Sequence, residues 1–465
     1  MKNRNILLIG ERIFRISYLL LAIITFNSFL FGKPIASVLV NVTFILGSIL
    51  IVERIVHWKE YIGTPYLMWL ILFIFSFIIS SVVNFKYEFV ENMKWVVWTT
   101  FQMMLLYTNK RNTEVREYKK EFVILSNIII VYTFMATVIS FVLLIMDYSS
   151  IWIFEENGQR IIAGFVWGRL WGVYTDPNYG AVLGVISIIL SVYFIQKSKI
   201  KLRLFYIINI IFEYIYIVFS DSRTGKLTLL ISISFYIYCI LLKNAHTLKG
   251  KIRNILLTVG VCVLMICGMS GIKNGYNAIM DWKIDSMELP EEAKDKEQEE
   301  QEIGREEDIK EDPSNRRFSI WKSGIEILET APLFGTGYVS FISYTMEKLP
   351  DTYVVNNDYG VFGSMHNGFL NVLVYQGIIG FLIFIAFVMC VTIKILKTIW
   401  KLEREQYQLA IVLSSCIGAV VCSMMFLLEG TYTNSIGSIV LWSFLGWLVQ
   451  MVSSKSGDVE LKGNK

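Results

Sequence analysis

The stretch SMHNGFLNVLVYQGIIGF, residues 364–381, sets His366 and Asn367 at the mouth of a long apolar run. The chain has three histidines, and the other two, His57 and His246, stand in short loops among Lys and Trp, where they read as surface residues. His366 differs because Gly363, Ser364 and Gly368 leave space around its imidazole. An imidazole accepts a proton near neutral pH. A helix-terminal histidine bonded to a carbonyl is the plainer use of the same position. Four arginines form the second group: Arg169 in WGRLWGVYTDPNYGA, Arg223 in SDSRTGK, and Arg316 and Arg317 in SNRRFSIW. Guanidinium groups stay charged and donate bidentate hydrogen bonds that suit phosphate oxygens. Singly, each would snorkel or pair with a headgroup; gathered together, they would dock a diphosphate. Glu213 lies inside an apolar run, where a carboxylate is costly and faces a cavity or a partner. Asp176 and Pro177 make a helix start, with Asn178 in its first turn, and Ser222 or Thr224 can cap the helix after SDSRTG. Glu429 reads as an interfacial residue.

These residues have to be held by a scaffold that is mostly apolar. Hydrophobic residues make up 54% of the chain and charged ones 18%, which is not the make-up of a soluble domain. Apolar stretches of roughly 17–25 residues recur, the length that crosses a bilayer as helix. Hydropathy marks about twelve spans, near 12–31, 35–56, 65–83, 89–107, 122–146, 177–196, 203–220, 225–242, 253–271, 367–393, 407–428 and 434–452. The fold class is an all-α polytopic membrane protein with a large extracytoplasmic loop before helix 10. The first run follows Lys2, Arg4, Arg12 and Arg15 and reads as an uncleaved first helix. The six cysteines all fall in apolar runs without a C-x-x-C pair and read as small core residues.

Loop charge sets an expected orientation. TNKRNTEVREYKKE, KSKIKLR, KNAHTLKGKIR and KILKTIWKLERE are basic, while FGKP and EGTYT are nearly bare. Basic loops stay in the cytosol, so both termini are expected there, in a bacterial cytoplasmic membrane. The chain then divides into helices 1–9 over 1–271 with an outer loop at 147–176, a large outer loop at 272–366, and helices 10–12 with a cytosolic tail over 367–465. The acidic insert 285–312 cannot bury a core and reads as a solvated spacer. RFSIWKSGIEILETAPLFGTGYVSF reads as an amphipathic surface helix followed by a tight loop. No loop is long enough for a cytosolic nucleotide-binding domain and no P-loop is present. No convincing set of metal ligands is present either, so no cofactor, metal or nucleic-acid partner is expected.

The string from RFSIW through APLFGTGY to HNGFLNVLVYQGIIGF has the form R-x-x-x-W, P-x-x-G-x-G, H-N-x-x-L. With DPNYGA and SRTG before it in order, it resembles the bacterial O-antigen ligase and O-antigen and capsular polysaccharide polymerase superfamily. The resemblance covers most of the chain and implies a GT-C-like glycosyltransferase architecture. It implies transfer of a glycan from undecaprenyl diphosphate to an acceptor hydroxyl on the outer membrane face, in cell-envelope or capsule biosynthesis. His366 matches the histidine of the H-N pair, Arg317 the arginine four before the tryptophan, Arg223 that of the serine-arginine patch, and Arg169 the one before D-P-N. Arg316, Asn178, Asn367 and Glu213 are expected substrate contacts around them. The acidic insert departs from the pattern. The implied reaction is metal-independent and inverting, with His366 as base and Arg317, Arg223 and Arg169 on the diphosphate. A polymerase of repeat units is the first reading, with a flippase and a chain-length regulator as partners. A glycan ligase and a non-enzymatic exporter or flippase are the alternatives. A transporter should show broken spans or charges deep in several of them; here charge lies mostly at the rim, with Glu213 the main exception.

Overall fold

The computed structural model describes residues 2–110, 115–154, 159–243, 245, 247–287, 290, 293–294, 298, 301–304, 312 and 314–462. His246 and most of the acidic insert lie outside the described residues. Each of the twelve expected spans coincides with a helix. In the first half these are α1 (Lys2–Thr25), α2 (Pro34–Val56), α3 (Leu67–Val83), α4 (Phe89–Phe101), α5 (Val115–Ile145), α6 (Pro177–Ile195), α7 (Ile200–Phe219), α8 (Arg223–Leu242) and α9 (Leu248–Asp285). Two shorter helices follow, α10 (Arg317–Thr330) and α11 (Phe341–Lys348). Then come α12 (Gly368–Thr398), α13 (Arg404–Met424), α14 (Ile436–Ile439) and α15 (Leu445–Lys462). Among the described residues, nine helical segments are long and apolar enough to cross a bilayer. α4 falls short because it passes into a π-helix over Gln102–Tyr107, and a second π-helix, Val440–Phe444, joins α14 to α15.

The chain divides into two compact units. The first comprises 1–21, 38–121 and 311–465. In it α3 packs on α12, and α12 on α10 and α15. α12 is not one rod: Gly377 has φ 67° and ψ −171°, which breaks it a third of the way along. The loop Pro332–Gly337 fills the break. Thr336 N donates to Val374 O (3.0 Å), Gly337 N to Tyr375 O (3.0 Å), and Ile378 N to Pro332 O (2.8 Å). Carbonyls freed inside an apolar bundle need such donors. Gly335 (φ 68°) allows the approach, because a Cβ there would lie 2.4 Å from Val374 O.

Charge is also buried inside this unit. Arg15 pairs with Glu121, and Arg54 with Glu11 at 2.8 Å; all four are buried. Both arginines serve the π-helix and its C-terminal cap: Arg15 donates to Leu105 O (3.1 Å), and Arg54 to Met104 O and to Thr108 O just beyond it (3.2 Å).

The second unit comprises 22–37 and 122–310, with α6 at its centre against α7 and α8. Small residues let these helices approach: a Cβ on Gly225 would lie 2.4 Å from Ala181 Cβ. Part of the expected outer loop 147–176 is an antiparallel sheet of β1 (Ser149–Phe154), β2 (Gln159–Val166) and β3 (Arg169–Gly172), in that order. β2 and β3 are joined by Trp167 and Gly168, both with positive φ as a tight hairpin requires. α9 runs on past its expected end at 271 to Asp285. The extra turns receive the end of the insert: Asn277 exchanges hydrogen bonds with Ile303 N (2.9 Å) and O (3.1 Å), and Ile303 is buried. Gly304 N then donates to Gly168 O (3.1 Å). That much of the insert is packed structure rather than spacer.

Candidate active site

His366 precedes α12, and Asn367 is that helix's N-cap. The Asn367 Oδ1 accepts from Phe369 N and Leu370 N, both at 3.0 Å. One turn on, Asn371 Oδ1 accepts from Met365 N at 2.8 Å. These two asparagines grip the backbone on either side of His366, which is held at φ 48°. A left-handed residue with a bulky side chain costs of order 1–3 kcal/mol and persists only where its surroundings fix it. The half-buried imidazole meets the Phe362 ring edge-on at 6.0 Å.

Arg317 reaches the same neighbourhood from α10. Trp321, one turn along that helix, donates Nε1 to Met365 O at 3.1 Å. Gly324 packs so closely that a Cβ there would lie 2.8 Å from Met365 Sδ. The Arg317 guanidinium lies 5.5 Å from the Phe426 ring, and Met424 abuts Gly368. The R-x-x-x-W spacing therefore does two jobs. The tryptophan fixes the residue before the histidine, and the arginine lies one turn back on the same helix. Arg316 goes elsewhere: its guanidinium stacks 3.3 Å over Tyr359. Asp312 shapes this corner. The Ser314 hydroxyl, with the backbone N–H groups of Arg316 and Ser314, holds its carboxyl below the usual range.

The remaining sequence-predicted residues belong to the second unit. Arg169 opens β3 and is buried, donating Nε to Ser220 O (2.8 Å) and Nη2 to Asn178 Oδ1 (2.9 Å). The same Asn178 oxygen accepts from Ser222 Oγ at 2.9 Å. Ser222 caps α8 by accepting from Gly225 N, and Asp176 caps α6 by accepting from Asn178 N. Two neighbouring stretches, GRLWG and DPNYG, thus meet the more distant SRTG at one point, and half-buried Arg223 starts the helix beside it. Glu213 is wholly buried among α5, α6 and α7, accepting from Thr137 Oγ1 at 3.1 Å.

Two groups escaped the sequence reading. Glu429 is fully buried rather than interfacial, accepting from Ser423 Oγ at 2.7 Å. Gly437 leaves it room, since a Cβ there would lie 2.0 Å from Glu429 Oε1. Tyr338, Tyr375 and Tyr432 form a cluster at the α12 break, with centroids 5.2–5.3 Å apart. The contact of the P-x-x-G-x-G loop with α12 brings Tyr338 to Tyr375, and Tyr432 joins them from the segment between α13 and α14. Among the described residues no group of three or more His, Cys, Asp or Glu could hold a metal ion. A cavity of about 660 Å³ in the first unit, lined by Arg54, Trp58, Tyr61 and Trp69, includes none of the predicted residues.

The helices and their apolar composition define the class, an all-α polytopic membrane protein. Residues 207–385 match the family model described as O-antigen ligase. The matched segment runs from α7 past the α12 break. It carries Glu213, Arg223, Arg316, Arg317, His366 and Asn367, while Arg169 and Asn178 precede it. A protein of Haemophilus influenzae described as uncharacterized is 24% identical over 213 residues, covering 46% of this chain. The match spans 48% of that relative, about half its length.

Proposed function

We propose that the protein is a glycosyltransferase that polymerises oligosaccharide repeat units carried on undecaprenyl diphosphate, at the outer face of a bacterial cytoplasmic membrane. The observation that supports this reading is the hydrogen bond from Trp321 to Met365 O, which ties the helix that begins at Arg317 to the residue before His366, inside the segment that matches the O-antigen ligase family. In the reaction His366 takes the proton of an acceptor sugar hydroxyl as its oxygen attacks the anomeric carbon of the donor. The bond from that carbon to the diphosphate oxygen breaks, and the electron pair leaves on the lipid diphosphate. Arg317 stabilises the charge that develops there, in the manner of a fixed cation at a leaving group. Attack from the opposite face inverts the anomeric carbon. The geometry gives Arg169 and Asn178 a supporting task, since both spend donors or acceptors on ends of helices α6, α7 and α8. No substrate contact is proposed for Glu213, which is enclosed by helices.

A glycan ligase would use the same residues on a different acceptor. An exporter would need an open path, and the break in α12 is plugged by Pro332–Gly337; this favours an enzyme. The test is purified protein in a bilayer mimic with a synthetic lipid-diphosphate repeat unit and no added metal. Oligomers on the lipid are the expected product. Transfer only to a different acceptor would replace the polymerase reading with the ligase, and no transfer to any hydroxyl would sink both.

A further inference from the structure

Within the second unit, α5, α6 and α7 enclose a polar column. Its six members are Thr133, Thr137, Ser187, Ser191, Asn209 and Glu213, and each is 0% exposed. They form two rungs one helical turn apart, bridged by Thr133, whose hydroxyl serves both Ser187 and the Glu213 carboxyl. In one, Thr137 Oγ1 donates to Glu213 Oε2 at 3.1 Å, with Gly184 so near that a Cβ on it would lie 3.1 Å from that oxygen. In the other, Asn209 Nδ2 donates to Ser187 Oγ (3.0 Å) and Ser191 Oγ (2.9 Å), and Thr133 Oγ1 donates to Ser187 Oγ (2.7 Å).

Two oxygens are left over. Glu213 Oε1 and Asn209 Oδ1 have no hydrogen-bond partner among the described residues. They stand four residues apart on α7, so their side chains lie on one face with Cβ atoms about 5–6 Å apart. Each is an acceptor that lacks a donor, at a depth where an unsatisfied polar atom costs several kcal/mol. A polar column of this kind is retained in a membrane span where it has an occupant. The occupant must bind oxygen lone pairs and offset a single carboxylate. A hard cation of charge one does both, because carboxylate, amide and hydroxyl oxygens are its preferred ligands. One acid does not suffice for a divalent ion in so dry a place. The close packing at Gly184 selects the smaller ion.

We propose that Glu213 Oε1 and Asn209 Oδ1 are the principal ligands of a buried Na⁺ site, completed by hydroxyls of the two rungs. The ion ties the middle of α7 to α5 and α6. The outer turn of α7 is the one whose carbonyl, Ser220 O, receives Arg169. A bound ion therefore also stiffens the point where GRLWG, DPNYG and SRTG meet.

The experiment is thermal unfolding of the full chain in detergent, in NaCl, KCl and choline chloride at equal ionic strength. The expected midpoint is higher in NaCl than in choline, by on the order of 5 °C at saturation, with a saturable dependence on Na⁺. Equilibrium dialysis with radioactive sodium reads the same site directly. Glu213→Gln and Asn209→Ala each remove the Na⁺-dependent rise, and Glu213→Gln keeps its midpoint in choline because it removes a buried charge. Equal wild-type midpoints in NaCl and choline, the result of a site that holds only a proton, overturn the proposal. So does an equal rise in KCl, or a Na⁺-dependent rise that survives in Glu213→Gln. Should either variant fail to fold, the wild-type salt comparison and sodium retention decide the question. None of these readouts depends on glycosyl transfer, so a failure here leaves the proposed reaction standing, and the reverse.

Discussion

His366 combines a reactive side chain with a left-handed backbone, and the two can be separated by substitution. Asparagine tolerates positive φ better than most residues, so His366→Asn keeps the turn while removing the base. Both His366→Asn and His366→Ala are expected to lower polymer formation by about 10²–10⁴-fold. His366→Asn should also unfold at a midpoint equal to or above that of His366→Ala. Unchanged polymer length and yield at normal protein level would remove His366 from the reaction. Arg317 is the second test at this scale. Lysine retains the charge but not the fork or the flat face beside Phe426. Arg317→Lys is expected to reduce turnover roughly 10–10²-fold, with assays of the purified variant showing wild-type rates if the guanidinium has no part. Lysine at 316 should cost far less, because Arg316 is turned onto Tyr359.

At the scale of elements, the P-x-x-G-x-G loop and the break in α12 are one device. Gly377 takes φ 67°, and a Cβ on it would lie 2.4 Å from the Leu333 carbonyl group. Gly377→Ala is therefore strained in both conformation and contact, and should cost about 3 kcal/mol or more, read as lost yield and a lowered unfolding midpoint. A wild-type midpoint would show that the loop does not hold the break. The insert supplies a pH-dependent contact. Burial and the neighbouring Asp281 raise the Glu302 carboxyl from 4.5 to about 7. A raised carboxyl favours the folded contact in its protonated form. The stabilisation is complete below the unfolded value of 4.5 and is lost as pH rises through about 7. Amide exchange at Ile303 and Gly304, corrected for intrinsic pH effects, should accordingly show protection at acid pH that declines across that window. Protection that is flat with pH would remove Glu302 from the contact.

For the whole molecule, orientation is the property on which an outer-face reaction depends. Lys199 and Asp358 are both exposed, in loops of opposite expected side. In a background without the six native cysteines, a membrane-impermeant thiol reagent added to intact cells should label Asp358→Cys and spare Lys199→Cys. The reverse pattern would place His366 on the cytosolic side and end the proposed use of a lipid-borne donor outside. The twelve helices needed no tertiary information: runs of apolar residues long enough to span hydrocarbon declare themselves, since lipid imposes the same demand on every turn. Helix starts at Asp176 and Ser222 were also legible, because a cap is made by residues adjacent in sequence. Contacts between distant segments were not. The bond from Gly304 to the hairpin at Gly168, the buried Arg15–Glu121 pair and the loop seated in the α12 break each join residues whose local sequence is silent about the partner. By itself the sequence determined a membrane-spanning helical chain and the residue types able to move a proton and hold phosphate, because both follow from local chemistry. Only the tertiary structure decided that Trp321 would fix the residue before His366 and that Asn178 would gather Arg169 and Ser222, because burial and hydrogen-bond geometry are set by which surfaces meet.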